Sequence, residues 1–138
     1  MELNNDIYQK IVQLSEKGDE FVDNREYKKA ILLYKKALSL IPKNKYEWEA
    51  SLWLFVALGD TYYLDGNYKE SLNFMFEALN CQGGLENPFV FLRIGECFFE
   101  INNKIKAREY LLKAYMLDEN RIFNGENEKY LNAIKDLI

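Results

Sequence analysis

The chain has 138 residues, of which 49% are hydrophobic and 15% aromatic, and its formal net charge is −4. This length fits a single domain with one core, and the apolar content excludes an intrinsically disordered chain. The acidic balance argues against a nucleic-acid binder, because contacts from lysine and arginine to phosphates dominate affinity in that class.

The first predicted hairpin consists of two amphipathic helices. Apolar residues spaced by three and four predict a helix over about residues 5–23, which ends at Asp23-Asn24. A second helix is predicted over about residues 26–41. Pro42 ends it, because the residue before a proline disfavours helical geometry. The short turn between the two helices makes them antiparallel neighbours.

Two further hairpins and a terminal helix follow. Asp65-Gly66-Asn67 and Gly83-Gly84 are turn signals, and Asn87-Pro88 favours a helix start with asparagine as the N-cap. The helices predicted around these signals cover about residues 46–64, 68–80, 88–101 and 104–117. A polar connector over about 118–127 then leads to a short helix, whose inward apolar residues are Tyr130, Leu131, Ile134 and Ile138.

Three glycines recur at matching places inside the predicted helices. Gly18, Gly59 and Gly95 are each followed three residues later by an aromatic residue and twelve residues later by alanine or serine. A glycine in the interior of a helix costs about 1 kcal/mol relative to alanine, so a packing reason is expected. The pattern predicts close helix crossings at which each glycine meets a small side chain of the next helix.

This pattern resembles the tetratricopeptide repeat, a helix pair of 34 residues. The three units are residues 11–44, 52–85 and 88–121, with Lys17, Ser71, Met75, Gly83 and Glu119 as departures from the family pattern. The first unit has Leu14, Gly18, Phe21, Ala30, Tyr34, Ala37 and Pro42 at signature positions. The resemblance implies one all-α domain over residues 1–138, an α-solenoid of three antiparallel hairpins with a C-terminal capping helix at about 127–138. Residues inserted between the first two units are expected to lengthen the helix that begins near Tyr46.

In this family the first helix of each pair lines a concave groove in which ligands commonly lie. The resemblance therefore implies a set of groove residues from all three units. They are Val12, Ser15, Asp19 and Val22 from the first unit, Trp53, Val56, Asp60 and Tyr63 from the second, and Phe89, Leu92, Arg93, Glu96 and Phe99 from the third.

Acidic and aromatic residues stand out in this set. The residue after each signature glycine is acidic (Asp19, Asp60 and Glu96), and a wall of carboxylates would favour a cationic partner. The alternative is that these acids are solvated or paired with neighbouring lysine and arginine. The aromatic groove residues would offer binding surface, or they belong to the core.

Sequence features of catalysis and of metal binding are missing. The chain has no histidine, and we find no nucleotide-binding glycine motif and no compact set of metal ligands, so we expect a non-enzymatic protein without cofactor or metal. Cys81 and Cys97 are expected to be reduced, mostly buried thiols. No apolar run approaches the ~20 residues of a membrane span, and the first residues lack a secretory signal, so a cytoplasmic location is expected.

The predicted function is binding of a basic or amphipathic protein or peptide in this groove. The stretch from Asn87 to Met116, with Ile122-Phe123 and Lys129-Tyr130-Leu131, is similar to small bacterial repeat proteins, some of which are thought to act as immunity proteins against secreted toxins. The alternatives are a chaperone for secreted substrates, similar to those of type III secretion, and a structural homo-oligomer. The family members that bind the C-terminal tails of heat-shock chaperones place lysine, asparagine and arginine in the groove. Only Arg93 resembles that pattern, so no such binding is expected.

Overall fold

The computed structural model describes residues 3–138, and this part of the chain contains seven α-helices and no β-strand. The helices are α1 (Asn5–Asp23), α2 (Tyr27–Ser39), α3 (Glu49–Leu64), α4 (Tyr68–Leu79), α5 (Pro88–Glu100), α6 (Lys104–Asp118) and α7 (Glu128–Asn132). Short 3-10 turns lie at Lys45–Glu47, Gly84–Glu86, Glu119–Phe123 and Lys135–Leu137. Helices α1 to α6 form three hairpins that stack through α2 against α3 and α4 against α5. The all-α hairpin solenoid predicted from the sequence is confirmed.

Asparagine side chains fix the starts of five helices. Each one accepts a hydrogen bond from a backbone N–H of the first turn, which would otherwise lack a partner. The caps are Asn4 to Asp6 at 2.9 Å, Asn67 to Glu70 at 3.2 Å, Asn87 to Phe89 at 3.0 Å, Asn103 to Lys106 at 3.2 Å and Asn127 to Lys129 at 3.0 Å.

Each signature glycine lies against a large side chain, which comes one helical turn after the small residue that the sequence predicted. A Cβ on Gly18 would lie 2.7 Å from the Tyr34 ring, and a Cβ on Gly59 would lie 2.8 Å from Met75. Gly95 meets Leu111 in the same way, at 2.7 Å. These side chains come one helical turn after the small residues, which allow the helices to approach. In the second hairpin, for example, the Ser71 hydroxyl donates to the Gly59 carbonyl at 2.6 Å.

The residues inserted before α3 form a separate turn and do not lengthen the helix. α3 begins at Glu49, because Trp48 is extended (φ −97°, ψ 131°). The Trp48 indole N–H donates to the Lys43 carbonyl at 3.1 Å, and the Tyr46 hydroxyl donates to Glu77 of α4 at 2.8 Å. These contacts hold the preceding residues as a 3-10 turn against α4.

The C-terminal segment (residues 119–138) differs from the single capping helix that was predicted. It contains a 3-10 turn, the five-residue helix α7 and a second 3-10 turn. Phe123, Tyr130 and Ile134 are buried, whereas Ile138, which was expected to face inward, is 49% exposed. The connector that was expected to be polar therefore contributes Phe123 to the core. There Phe123 packs in one cluster with Leu92 of α5 and with Leu111 and Ala114 of α6.

Burial is greatest along α5, where every residue from Val90 to Cys97 is buried. α4, α6 and the C-terminal segment all pack around this helix. Cys81 and Cys97 are buried free thiols, and burial raises the pKa of Cys97 to about 12. None of the helices in residues 3–138 has the length and hydropathy needed to cross a bilayer.

Candidate binding groove

The first helices of the three hairpins, α1, α3 and α5, display the predicted groove residues very unevenly. Asp19 is exposed and Trp53 is 36% exposed, whereas Val12, Val22, Val56 and Asp60 are half-buried. We call the surface of these six residues the open half. Tyr63, Phe89, Leu92, Arg93, Glu96 and Phe99 form the closed half, in which Leu92, Arg93 and Glu96 are buried and the three aromatic residues are half-buried. Ser15 is also buried, with 8% exposed.

Leu92 and Glu96 are therefore interior residues and not part of an open groove surface. Leu92 is 1% exposed because it packs in one cluster with Phe123, Tyr130 and Ile134 of the C-terminal segment. Glu96 is fully buried beside Arg93. The prediction that these two residues line an open groove is wrong, since the C-terminal segment covers them.

Arg93 is the centre of the closed half and binds three acidic side chains. Its Nε donates to Asp60 Oδ1 of α3 at 2.7 Å. Its Nη1 donates to Glu96 Oε1 at 2.5 Å and to Glu126 Oε1 of the C-terminal segment at 2.7 Å. Since the Arg93 side chain is only 9% exposed, these bonds satisfy a guanidinium that water reaches poorly. The arginine thereby joins α3, α5 and the C-terminal segment.

Two aromatic rings contact the same guanidinium. The Arg93 Cζ atom lies 4.3 Å from the centroid of the Tyr63 ring and 4.8 Å from that of Phe89. Both distances are within the range of cation–π attraction. Tyr63 and Phe89 therefore hold the arginine in place, and this limits the ring surface they can offer to a partner.

More carboxylates than cations meet at this point. Burial alone would lower the pKa of Arg93, but Asp60, Glu96 and Glu126 outweigh it and raise the pKa above the ordinary value. Burial, followed by a hydrogen bond to Glu126, raises the pKa of Glu96 to about 9. This shift favours the protonated, uncharged form of Glu96 at neutral pH, so Asp60 and Glu126 are the carboxylates that balance Arg93.

A second polar chain ties Tyr130 of the C-terminal segment to α3 and α5. The Tyr130 hydroxyl donates to Glu100 Oε2 at 2.9 Å, so the Tyr63 hydroxyl, 2.8 Å away, is the donor to the Tyr130 oxygen. Lys129 Nζ lies 3.0 Å from the same Glu100 oxygen. The rings of Phe99 and Tyr130 meet edge to face, with centroids 5.3 Å apart. These contacts cover most of the closed half.

The predicted wall of free carboxylates is mostly paired within the protein. Asp60 and Glu96 contact Arg93, and Asp19 accepts a hydrogen bond from the Tyr34 hydroxyl at 2.5 Å. Sequence reasoning missed Glu126 and Glu100 altogether. No spacing rule connects Glu126 with Arg93, which lies 33 residues earlier.

A crevice of about 370 Å³ lies between the first hairpin and α3, and it shares Asp19, Val22 and Asp60 with the open half. Its lining residues are Asp19, Val22, Asp23, Tyr34, Ala57, Asp60 and Thr61. None of them is cationic, and they combine three carboxylates with aliphatic and aromatic carbon. Within residues 3–138 no group of acidic or cysteine side chains has the geometry to hold a metal ion.

The crevice is suited to a ligand that is partly apolar and partly cationic. The carboxylates of Asp19 and Asp23 provide the negative charge, since Asp60 is paired with Arg93, and Val22 and Ala57 provide the apolar wall.

Comparison with known proteins gives the family and the fold. The sequence profile of the tetratricopeptide repeat matches residues 7–44 and 90–121, about half of the chain. No curated protein matches this chain in sequence. Similar solved structures include the first TPR domain of Spaghetti (RPAP3) bound to the HSP90 peptide SRMEEVD, at 20% identity and a TM-score of 0.72, covering 91% of this chain and 94% of that one.

Two further similar structures are chaperone complexes. One is the Yersinia enterocolitica type III secretion chaperone SycD with a peptide of the translocator YopD, at 16% identity and a TM-score of 0.72, covering 90% of this chain and 88% of that one. The other is PcrH with the chaperone binding region of PopD, at 14% identity and a TM-score of 0.74, covering 97% of this chain and 96% of that one. At these identities the similarity concerns the fold alone, whereas the profile match shows that the chain belongs to the tetratricopeptide repeat family.

Proposed function

We propose that this protein is a non-enzymatic interaction module that holds a segment of a partner protein in the groove formed by α1, α3 and α5. The observation that supports this most directly is the exposed indole of Trp53, which lies on the same face of α3 as Val56 and Asp60. A partly exposed tryptophan beside an aliphatic side chain is typical of binding surfaces, because it offers a large contact area with few rotatable bonds.

Among the roles that the sequence leaves open, holding a peptide segment as a chaperone has the most support. SycD and PcrH, which share the fold, are each complexed with part of a translocator or with a chaperone binding region. Neither the family nor the similar structures named point to toxin neutralisation or to a homo-oligomer. Those two roles are therefore not part of the proposal.

Binding of acidic chaperone tails is not part of the proposal either. RPAP3 was solved with an HSP90 peptide that ends in EEVD. In the present chain Arg93 is already bonded to Asp60, Glu96 and Glu126, so it is not available to a further carboxylate. The paired state of Arg93 supports the expectation that such tails do not bind.

The proposal is tested by selecting peptides from a displayed random library and measuring their affinity by isothermal titration calorimetry. Val56→Glu places a charge on the groove face and should weaken the selected peptides at least tenfold, which corresponds to about 1.4 kcal/mol. Leu32→Glu is the matched control, because Leu32 is 68% exposed on α2. Circular dichroism establishes that both variants are folded.

Two results would contradict the proposal. One is that no peptide is enriched above background. The other is that Leu32→Glu weakens binding as much as Val56→Glu does, since that would place the partner outside the groove.

A further inference from the structure

The chain itself fills the part of the groove that lies over α5. Glu126 bonds to Arg93 at 2.7 Å, and Tyr130 reaches past α5 to the Tyr63 hydroxyl of α3 at 2.8 Å. Tyr130 also packs its ring edge to face on Phe99. Carboxylate, phenol and ring contacts of this kind are those that a bound peptide would make with the same helix.

This occupation is part of the folded core and not a loosely attached lid. Phe123, Tyr130 and Ile134 of the C-terminal segment are 6%, 4% and 0% exposed and share one cluster with Leu92 and Leu111. Lifting the segment would expose all three side chains together with the leucines beneath them. A partner that gains only a few surface contacts cannot offset that loss.

The surface that remains accessible lies on α1 and α3. It consists of the open half, with Trp53 and Val56 at one end, and of the crevice lined by Asp19, Asp23 and Asp60 at the other. Arg93, the cation that contacts Asp60, is already bonded to three acidic side chains. A partner that enters the crevice therefore meets negative charge next to aliphatic walls.

We propose that the partner contacts only α1 and α3, and that it is an amphipathic segment with leucine-like side chains on Trp53 and Val56 and a lysine or arginine in the crevice. The long aliphatic stem of lysine or arginine suits Val22 and Ala57, and its charged head suits the carboxylates of Asp19 and Asp23. This inference rests on the proposed function, which it restricts to two of the three repeats.

The test uses two synthetic 12-residue peptides that share two leucines in a glycine- and serine-rich sequence. They differ only in carrying two lysines or two glutamates. Titration of the full-length ¹⁵N-labelled protein with each peptide maps the contacts residue by residue. We expect the lysine peptide to bind at least fivefold more tightly, and its chemical-shift changes to be confined to α1 and α3.

Matched variants separate local charge from overall charge. Asp23→Lys and Glu109→Lys change the net charge equally, but Asp23 lines the crevice and Glu109 lies exposed on α6. Asp23→Lys should lower the affinity for the lysine peptide at least fivefold, and Glu109→Lys should leave this affinity unchanged. Tyr130→Phe, in the C-terminal segment that covers the closed half, should also leave the affinity of the lysine peptide unchanged.

The failures of the two proposals are distinguishable. Four results would each overturn the proposal that the partner contacts only α1 and α3, while leaving the proposed groove function intact. They are chemical-shift changes centred on α5, a lower affinity of Tyr130→Phe for the lysine peptide, equal effects of Asp23→Lys and Glu109→Lys, and tighter binding of the glutamate peptide. If neither synthetic peptide nor any library-selected peptide binds, the proposed function fails, and the footprint fails with it.

Discussion

The open and closed halves of the groove use the same repeat positions for opposite purposes. Val56 and Leu92 each lie three residues before a signature glycine, yet Val56 is half-buried and Leu92 is 1% exposed. Asp60 and Glu96 each follow that glycine, yet their side chains are 32% and 0% exposed. Repeat position alone therefore does not determine whether a residue is available to a partner.

The difference between the halves arises from the element that follows each repeat. α1 and α3 retain a free face, whereas α5 is covered by the C-terminal segment. A stacked repeat must have its last apolar face covered, and in this protein the covering segment also reaches across the groove to Tyr63. The segment converts groove positions of the last repeat into core positions.

The largest expected effect comes from removing the cation at the centre of the closed half. Arg93→Met leaves the carboxyl groups of Asp60, Glu96 and Glu126 close together without a counter-charge. Breaking a buried ion pair from one side costs about 3–5 kcal/mol, so we expect a loss of that size in the free energy of urea unfolding at neutral pH.

A compensated variant tests whether this loss is electrostatic. Glu96→Gln and Glu126→Gln added to Arg93→Met remove two of the orphaned acids, and most of the stability should return. A triple variant as unstable as Arg93→Met alone would show that the loss comes from packing.

Shortening an apolar side chain should lower the free energy of unfolding much more in the covering segment than in the open half. The larger of the two losses should be close to that of Arg93→Met. Ile134 is fully buried in the C-terminal segment, so Ile134→Ala should cost about 2–5 kcal/mol in urea unfolding. Val56→Ala in the open half should cost less than about 1 kcal/mol, because that side chain is only half-buried. Equal losses would mean that the open half is as much a part of the core as the segment that covers the closed half.

The fold could be predicted because its determinants are local. Hairpin turns, asparagine caps and the spacing of Gly18, Gly59 and Gly95 lie within short stretches of chain, and helix-pair repeats need few long-range contacts. The turn before α3 was missed because its conformation depends on a contact between Tyr46 and Glu77, 31 residues apart.

The site could be predicted only in part. The register of the repeats in the sequence placed Asp60, Arg93 and Glu96 on helices that line the groove. It could not show that a buried arginine would neutralise the acids. That outcome depends on Glu126, which lies in a stretch interpreted as a polar connector. The burial of Leu92 depends in the same way on Phe123, whose packing no local pattern specifies.

Acidity should act on the closed half through Glu96. Its pKa is raised to about 9 in the folded state, whereas in the unfolded chain it is ordinary, about 4.3. Between these values the folded protein holds a proton that the unfolded chain releases, so stability falls as the pH rises, by at most about 1.4 kcal/mol per pH unit.

Glu96→Gln keeps an oxygen that can accept from Arg93 and adds a donor for Glu126, so it imitates the protonated acid. We expect it to fold normally and to remove most of the decline in unfolding free energy between pH 6 and 8. An unchanged slope in this variant would show that another group is responsible.

The smallest predicted effect decides whether the C-terminal segment over the closed half opens separately from the rest of the protein. Tyr130→Phe keeps the ring on Phe99 but removes the hydroxyl that donates to Glu100 and accepts from Tyr63. The expected loss is about 1 kcal/mol, the usual net contribution of such hydrogen bonds. It is best measured by hydrogen exchange of single amides, with Tyr8→Phe as the control, because Tyr8 is 47% exposed on α1. Faster exchange confined to residues 119–134 would show that the segment opens as a unit of its own, since local opening leaves other amides protected. Faster exchange throughout α1 and α3 as well would show that the two halves unfold together, and the contrast between them would then be one of surface exposure and not of stability.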